Sequence, residues 1–210
     1  GKLVEKKRET ITWEKESASK GGYAHFMSKE IMDQRGLIED TVRLGASSVT
    51  RTVKILKKAT TVFFTAMGTA AHMGMAGEYI FSRIAKKSAR LVYAAEFDKI
   101  LPFINKKSVV CGISQSGETA DLLEAFKLAK QHGGKIISII NVRGSSAERE
   151  SLYAVPVNAG PEKAVASTKA ATAQFTILTL LAYALIGKQA YGGKKLLGAS
   201  RAIKEWLGEG

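Results

Sequence analysis

The chain has 210 residues, of which 45% are hydrophobic, and it carries a formal net charge of +13 and one cysteine. This length predicts one domain with terminal extensions. The lone cysteine excludes a disulfide framework and favours a cytoplasmic location. No apolar run reaches the roughly 20 residues that span a membrane. The basic residues are scattered in pairs without interleaved aromatic residues, so we predict a generally basic surface and no nucleic-acid site.

The first predicted segment, residues 1–25, is a linker or extension from an upstream domain, because it is polar and contains Gly21-Gly22. The chain begins with Gly1 and not with an initiator methionine, so we expect residues of the natural protein to be missing. The domain itself is predicted over 26–210, and it opens with a helical stretch over 26–57 that is divided near Gly36.

Strands and helices then alternate along the chain. Strands that are apolar on both faces predict a parallel sheet covered by helices on both sides. The expected fold class is therefore a three-layer α/β/α sandwich with a five-stranded parallel sheet, flavodoxin-like or Rossmann-like. The predicted strands cover 61–66, 91–95, 109–113, 136–140 and 153–157. The predicted later helices cover 71–86, 119–131, 145–150, 167–186 and 195–207, with a break at Gly192-Gly193.

A hydroxyl-rich loop follows the third strand, at the point where the next helix begins. Ser114, Ser116 and Thr119 offer hydroxyls, and Gly117 lets the backbone approach an anion closely. A helix N-terminus carries free N–H groups and a partial positive charge, which suits a phosphate. Plain N-capping is the alternative, but one hydroxyl is enough for a cap, and three hydroxyls beside Gln115 favour a ligand.

A second polar segment, residues 158–169, also leaves a strand and enters a helix. Ser167 is predicted to cap that helix. Lys169 lies in the first turn, where the helix dipole disfavours a cation, so a ligand anion or a nearby carboxylate should balance its charge. Glu162 is in isolation as readily a surface acid as a site residue.

The remaining candidates carry weaker signals. Gly68 and Thr69 follow the first strand, and the sheet would bring them to the same edge as the other two loops. His72 fits the site and the solvent equally well, and Glu96 fits the site edge or a pair with a lysine. No Cys/His cluster has metal spacing, so no metal and no cofactor is predicted. We read His132 as a helix cap and Cys111 as a small buried apolar residue.

These loops, in this order, resemble the sugar isomerase (SIS) domain family. The phosphate-binding motif of that family is similar to the stretch from Ser114 to Asp121. The stretches 141–146 and 165–170 resemble, more narrowly, the isomerase half of the isomerising glutamine–fructose-6-phosphate aminotransferases. Residues 21–31 resemble the segment that joins the glutaminase domain of those enzymes to the first of their two SIS domains.

The resemblance implies a site for a hexose 6-phosphate, either fructose 6-phosphate or glucose 6-phosphate. It also implies a homodimer through SIS–SIS packing, in which the apolar helix over 166–186 takes part. The family's usual Cys-Gly-Thr-Ser is Met67-Gly68-Thr69-Ala70 here, so one hydroxyl is lost. The implied substrate-binding residues are Thr69, Ser114, Gln115, Ser116, Thr119, Val165, Ala166 and Ser167. The implied supporting residues are Gly68, Gly117, Glu162 and Lys169.

No catalytic residues are assigned. The resemblance implies that the Schiff-base lysine, the carboxylate base and the ring-opening histidine belong to a second SIS domain and a C-terminal tail. The expected function is therefore that of a binding fragment that turns over little or nothing alone. Two alternatives stay open. One is a standalone phosphosugar isomerase that uses His72 with Glu96 or Glu162 between subunits, and the other is a non-catalytic sugar-phosphate sensor.

Overall fold

The computed structural model describes residues 19–208 of the chain. Five strands form one all-parallel sheet in the order β2-β1-β3-β4-β5. The predicted five-stranded parallel sheet is thus confirmed, and its order is the flavodoxin-like one, with a topological switch point between β1 and β3. The strands are β1 (Thr61–Ala66), β2 (Ala89–Tyr93), β3 (Ser108–Ser114), β4 (Lys135–Ile140) and β5 (Tyr153–Pro156).

Helices cover both faces of this sheet. The α-helices are α1 (Phe26–Met32), α2 (Leu37–Lys58), α3 (Gly68–Ile80), α4 (Ala120–Gln131), α5 (Ser146–Glu150), α6 (Lys169–Leu185) and α7 (Gln189–Leu207). A π-helical turn over Phe81–Ala85 continues α3, and a 3₁₀ helix covers Ala94–Phe103. No helix within residues 19–208 is long and apolar enough to cross a bilayer.

Two hydrophobic cores lie on opposite sides of the sheet, because successive side chains of each strand point to opposite faces. On β1, Val62 and Phe64 pack into the core that includes α2, α3 and α6. Phe63, between them, packs into the core that includes α4 and the 3₁₀ helix. Cys111 is buried in the first of these cores, and burial raises the pKa of its thiol. The three-layer architecture is therefore confirmed.

Some predicted boundaries are wrong. The second strand covers Ala89–Tyr93 and not 91–95, because Ala94 and Ala95 belong to the 3₁₀ helix, and α3 begins at Gly68 and not at residue 71.

Gly192 and Gly193 do not separate two helices, because α7 runs through them from Gln189. A Cβ placed on Gly192 would lie 2.5 Å from a ring carbon of Tyr183 on α6. The glycine therefore permits two helices to approach each other closely, and the turn before α7 lies at Gly187.

Only the last part of the predicted N-terminal extension lies within the described residues. Residues 19–25 contain no helix or strand, and α1 begins at Phe26. Gly36 has a positive φ of 78° and precedes α2, so the helical stretch is divided where predicted. Most of the predicted linker, residues 1–18, lies outside the described residues, and the boundary at 25/26 stays a prediction.

Candidate functional site

A cleft of about 300 Å³ opens at the carboxyl ends of β1 and β3, the two adjacent strands at the switch point. Open α/β sheets bind their ligands at this position. The lining residues come from the start of α3, the end of β3 and the loop after it, the loop before α6, and α4 and α6 themselves. They are Met67, Gly68, Thr69, Ala70, Ile113, Ser114, Gln115, Ser116, Thr119, Leu122, Val165, Ser167 and Gln174.

The loop from Ser114 to Thr119 is ordered by its own side chains. The Gly117 N–H donates to Oγ of Ser114 at 2.9 Å, and the Glu118 N–H donates to Oγ of Ser116 at 3.1 Å. Oγ of Ser114 also lies 3.3 Å from Oγ1 of Thr119. A hydroxyl that accepts a hydrogen bond keeps its own proton. One proton of the Ser114–Thr119 pair is donated within the loop, so the proton of Ser116 and the other proton of that pair are left to donate to a ligand.

Gly117 is required in this loop for two reasons. Its φ of 68° lies in the left-handed region, which side chains disfavour. A Cβ at this position would also lie 2.2 Å from Oγ of Ser145. The turn after β4 thus packs directly against the loop, and the Ala147 N–H donates to the carbonyl of Gly117 at 2.9 Å.

The hydroxyls of this loop do not act as caps of α4. Thr119 occupies the N-cap position, but its side chain makes no capping hydrogen bond. The positive end of the α4 dipole therefore faces the cleft without a side-chain acceptor at its N-cap. This geometry favours the ligand interpretation of the three hydroxyls over the capping interpretation.

The β1 side of the cleft is also a helix N-terminus. Gly68 and Thr69 form the first turn of α3, and the N-cap residue Met67 makes no side-chain capping bond. Thr69 is half-buried in the cleft wall. Two helix N-termini from adjacent strands therefore meet at one cleft, as the chain order of the polar loops predicted.

The third side of the cleft is organised by Glu162. Its carboxylate accepts hydrogen bonds from Oγ of Ser167 at 2.7 Å and from the N–H of Thr168 at 2.8 Å. The Ala170 N–H adds a bond of 3.2 Å. The prediction that Ser167 caps α6 is therefore wrong, because Thr168 is the N-cap residue and the capping group is the carboxylate of Glu162.

Lys169 is buried, and its charge is balanced by a carboxylate. Its Nζ lies 3.1 Å from Oδ2 of Asp33, which also accepts a 2.6 Å bond from Lys29. Burial raises the pKa of the Asp33 carboxyl, but the hydrogen bonds and charges of Lys29 and Lys169 outweigh it and hold that pKa below its usual value. The sequence predicted either a ligand anion or a carboxylate beside Lys169, and the carboxylate of Asp33 takes this place.

Helix α1 contacts the loop before α6 through Glu30. This glutamate is only 2% exposed, and its carboxylate accepts hydrogen bonds from the N–H groups of Lys163 at 2.5 Å and Ala164 at 3.2 Å. No sequence pattern indicated this contact, because Glu30 and Lys163 lie 133 positions apart in the chain. The segment that precedes the sheet therefore positions the loop that closes the cleft.

Other predicted residues lie outside the cleft wall. Ala166 is exposed beside the lining residues Val165 and Ser167, and Gly117, Glu162 and Lys169 lie behind the wall. His72 is exposed and is not part of the lining. Glu96 forms an exposed ion pair with Lys99, one of its two predicted environments. His132 is the C-cap residue of α4, and its Nδ1 lies 2.9 Å from the carbonyl of Leu128.

The cleft is chemically neutral. None of the described residues that line it has an ionisable side chain. Within residues 19–208, no three His, Cys, Asp or Glu side chains are grouped so that they could hold a metal ion. The arrangement can bind a polar, anionic ligand through hydroxyls, amides and helix N-termini, and its own lining contains no acid or base.

Comparison with known proteins identifies the fold. The family model described as SIS domain matches residues 55–184. The chain belongs to the SIS domain family. The match covers the whole sheet and most of α6, so the SIS domain includes every strand and loop that forms the cleft.

The chain also has relatives that match most of its length. It is 41% identical over 186 residues to the glutamine–fructose-6-phosphate aminotransferase [isomerizing] of Thermococcus kodakarensis, covering 88% of this chain and 31% of that protein. The protein of the same name from Caldanaerobacter subterraneus is 40% identical over 190 residues, covering 87% of this chain and 31% of that protein. The chain thus spans about a third of the length of these curated relatives.

A solved structure supports the same relationship. The C-terminal domain of glucosamine-fructose-6-phosphate aminotransferase from Francisella tularensis superposes with a TM-score of 0.76 at 31% identity. The alignment covers 87% of this chain and 56% of that one. The predicted resemblance to an SIS domain of the isomerising aminotransferases is therefore confirmed, and the chain is homologous to one part of them.

Proposed function

We propose that this SIS domain binds a hexose 6-phosphate, fructose 6-phosphate or glucose 6-phosphate, as the first SIS domain of an isomerising glutamine–fructose-6-phosphate aminotransferase. The observation that carries the proposal is the pre-ordered Ser114–Thr119 loop at the uncapped N-terminus of α4. Three hydroxyls and a helix dipole offer only neutral donors and a partial positive charge, which suits a phosphate monoester.

The proposed binding residues are those that the family resemblance implies, and all of them except Ala166, which lies beside the wall, line the cleft. Ser114, Gln115, Ser116 and Thr119 hold the phosphate. Thr69, Val165, Ala166 and Ser167 surround the sugar. Gly68, Gly117, Glu162 and Lys169 support these loops, and the bonds of Glu162 to Ser167 and Thr168 are the most direct support for that role.

The neutral lining supports binding without turnover. Sugar isomerisation requires an acid and a base within hydrogen-bond reach of the substrate. The cleft supplies neither from its described lining, and the carboxylate of Glu162 is occupied at the start of α6. A standalone isomerase is therefore the weaker alternative, and the catalytic groups belong to another part of the natural protein.

Calorimetric titration of the purified chain tests this function. Fructose 6-phosphate and glucose 6-phosphate should bind, whereas fructose, which lacks the phosphate, should show no measurable heat. Equal binding of fructose and fructose 6-phosphate would remove the loop from the site, and the absence of binding by either phosphosugar would refute the proposal.

An activity assay on the same preparation separates a fragment from a complete enzyme. Incubation with fructose 6-phosphate and glutamine should yield no glucosamine 6-phosphate, and fructose 6-phosphate should not convert to glucose 6-phosphate. Formation of either product by a pure sample would contradict the proposed fragment.

We further propose a cytoplasmic location and a homodimer formed by SIS–SIS packing. The free, buried thiol of Cys111 supports the first. For the second, α6 is largely buried within its own chain, so the predicted contribution of this helix reduces to its exposed Phe175. Met75 and Tyr79, 50% and 64% exposed on the neighbouring α3, extend the apolar surface available to a partner.

A further inference from the structure

Gln174, in the second turn of α6, has an unusual environment. The residue is 1% exposed, and both its Oε1 and its Nε2 lack a hydrogen-bond partner among residues 19–208. A buried amide without hydrogen-bond partners lowers the stability of the folded protein. The residue is flanked by apolar helix positions, so its sequence context gives no indication of a site.

The position of Gln174 suggests what these partners are. In the described part of the chain, a few other buried side chains also have an unpaired polar atom, but only Gln174 belongs to the wall of the cleft. Unpaired polar atoms that face a binding cleft are those that a ligand can satisfy. By contrast, Gln189 donates to the carbonyl of Ala46 at 3.1 Å and lies 3.2 Å from the hydroxyl of Thr50.

The chemistry of the carboxamide selects the part of the ligand it would contact. The amide needs an acceptor for its N–H groups and a donor for its oxygen. A phosphate dianion only accepts, so it would leave Oε1 unpaired and close to a negative charge. A hydroxyl both donates and accepts, so the hydroxyls of a sugar match the carboxamide on both atoms.

We propose that Gln174 is a binding residue for the sugar part of the ligand, which it recognises through paired hydrogen bonds to hydroxyl groups. This inference rests on the proposed hexose 6-phosphate function of the cleft. Two regions then bind different parts of the ligand. The Ser114–Thr119 loop binds the phosphate, and the carboxamide of Gln174 on α6 binds hydroxyl groups of the sugar.

The test is a calorimetric comparison of wild type with Gln174→Leu, which keeps the volume and removes the amide. The dissociation constant for fructose 6-phosphate should rise about tenfold, equivalent to about 1.4 kcal/mol. The dissociation constant for inorganic phosphate should not change. The melting temperature of the ligand-free protein should rise by about 2–4 °C, because an unsatisfied buried amide is removed.

Gln189→Leu is the matched control, because it makes the same change to an amide whose partners belong to the protein. It should lower the melting temperature and leave both affinities unchanged. Gln174→Met repeats the test with a longer side chain if the leucine variant does not fold.

Each outcome is decisive. Unchanged fructose 6-phosphate affinity in a folded Gln174 variant would overturn the inference and leave the proposed function intact. Equal weakening of fructose 6-phosphate and inorganic phosphate would assign Gln174 a general structural role and also overturn it. Failure of wild type to bind any hexose phosphate would refute the proposed function and this inference together.

Discussion

Ser116 combines two tasks in one hydroxyl. Its oxygen accepts the Glu118 N–H at 3.1 Å, and its proton is left for a ligand in the cleft. In the proposed function, neutral hydroxyls therefore form the phosphate site without a lysine or arginine in its lining. The binding energy of such a site comes from a few charge-assisted hydrogen bonds, so each one should be measurable by mutation.

Ser116→Ala should weaken hexose 6-phosphate binding by about 1–3 kcal/mol, because a charge-assisted hydrogen bond is lost. Calorimetry with fructose 6-phosphate measures the change. Ser151→Ala is the control, since that hydroxyl donates to the carbonyl of Ala147 and lies outside the cleft. If both variants bind as wild type does, the hydroxyl of Ser116 does not contact the phosphate.

Asp33 makes stability depend on pH. Its pKa is lowered in the folded protein by Lys29 and Lys169, so the unfolded chain binds the proton more readily. Stability from this carboxylate should be complete above its unfolded pKa of about 4 and should fall as the pH drops below that value. Asp33→Asn should be less stable at neutral pH and should lose less stability on acidification.

Urea unfolding at several pH values between neutral and acid measures this effect. Asp40→Asn serves as the control, because Asp40 is exposed and its 2.8 Å pair with Arg43 is worth less than about 1 kcal/mol. An Asp33→Asn variant whose stability falls as steeply with acid as that of wild type would show that this carboxylate does not carry the dependence.

At the scale of elements, the packing of α6 on α7 depends on a glycine. Gly192→Ala should destabilise the protein by about 1–3 kcal/mol, because its Cβ would overlap the ring of Tyr183. Gly198→Ala, in the same helix, should instead stabilise by about 0.5–1 kcal/mol, since the nearest neighbour of an added Cβ is a nitrogen of the flexible Arg201 side chain at 3.9 Å. Equal effects of the two changes on denaturant unfolding would contradict this packing.

Much of the architecture could be predicted from the sequence, because all five strands are short apolar runs bounded by polar or glycine-rich turns. The 3₁₀ helix over Ala94–Phe103 was not predicted, since Pro102 and its short turns lack helical periodicity. The break predicted at Gly192 was wrong because a glycine that ends a helix and a glycine that permits close packing of two helices cannot be distinguished in the sequence. Glu30 and Gln174 were missed for a related reason, since their importance arises from contacts made only after folding.

At the scale of the whole molecule, the exposed apolar side chains of α3 and α6 should hold two copies together. We expect light scattering to give the mass of a dimer at micromolar concentrations. Tyr79→Glu should shift the protein toward the monomer, because it places a charge in the proposed interface. Trp206→Glu is the control, since this 83% exposed side chain lies on α7. A wild-type monomer across this range would refute the dimer.

The hydrogen bonds from the N–H groups of Lys163 and Ala164 to Glu30 bear on where the N-terminal boundary of the domain lies. The family match starts at residue 55, yet the carboxylate that holds one wall of the cleft lies 25 residues earlier. A version trimmed to the matched region would keep every strand, but it would lose that anchor and most of α2, whose Val49 and Val53 are buried in the core. We therefore expect the smallest unit that keeps the cleft intact to begin at or before Glu30, well ahead of the matched region.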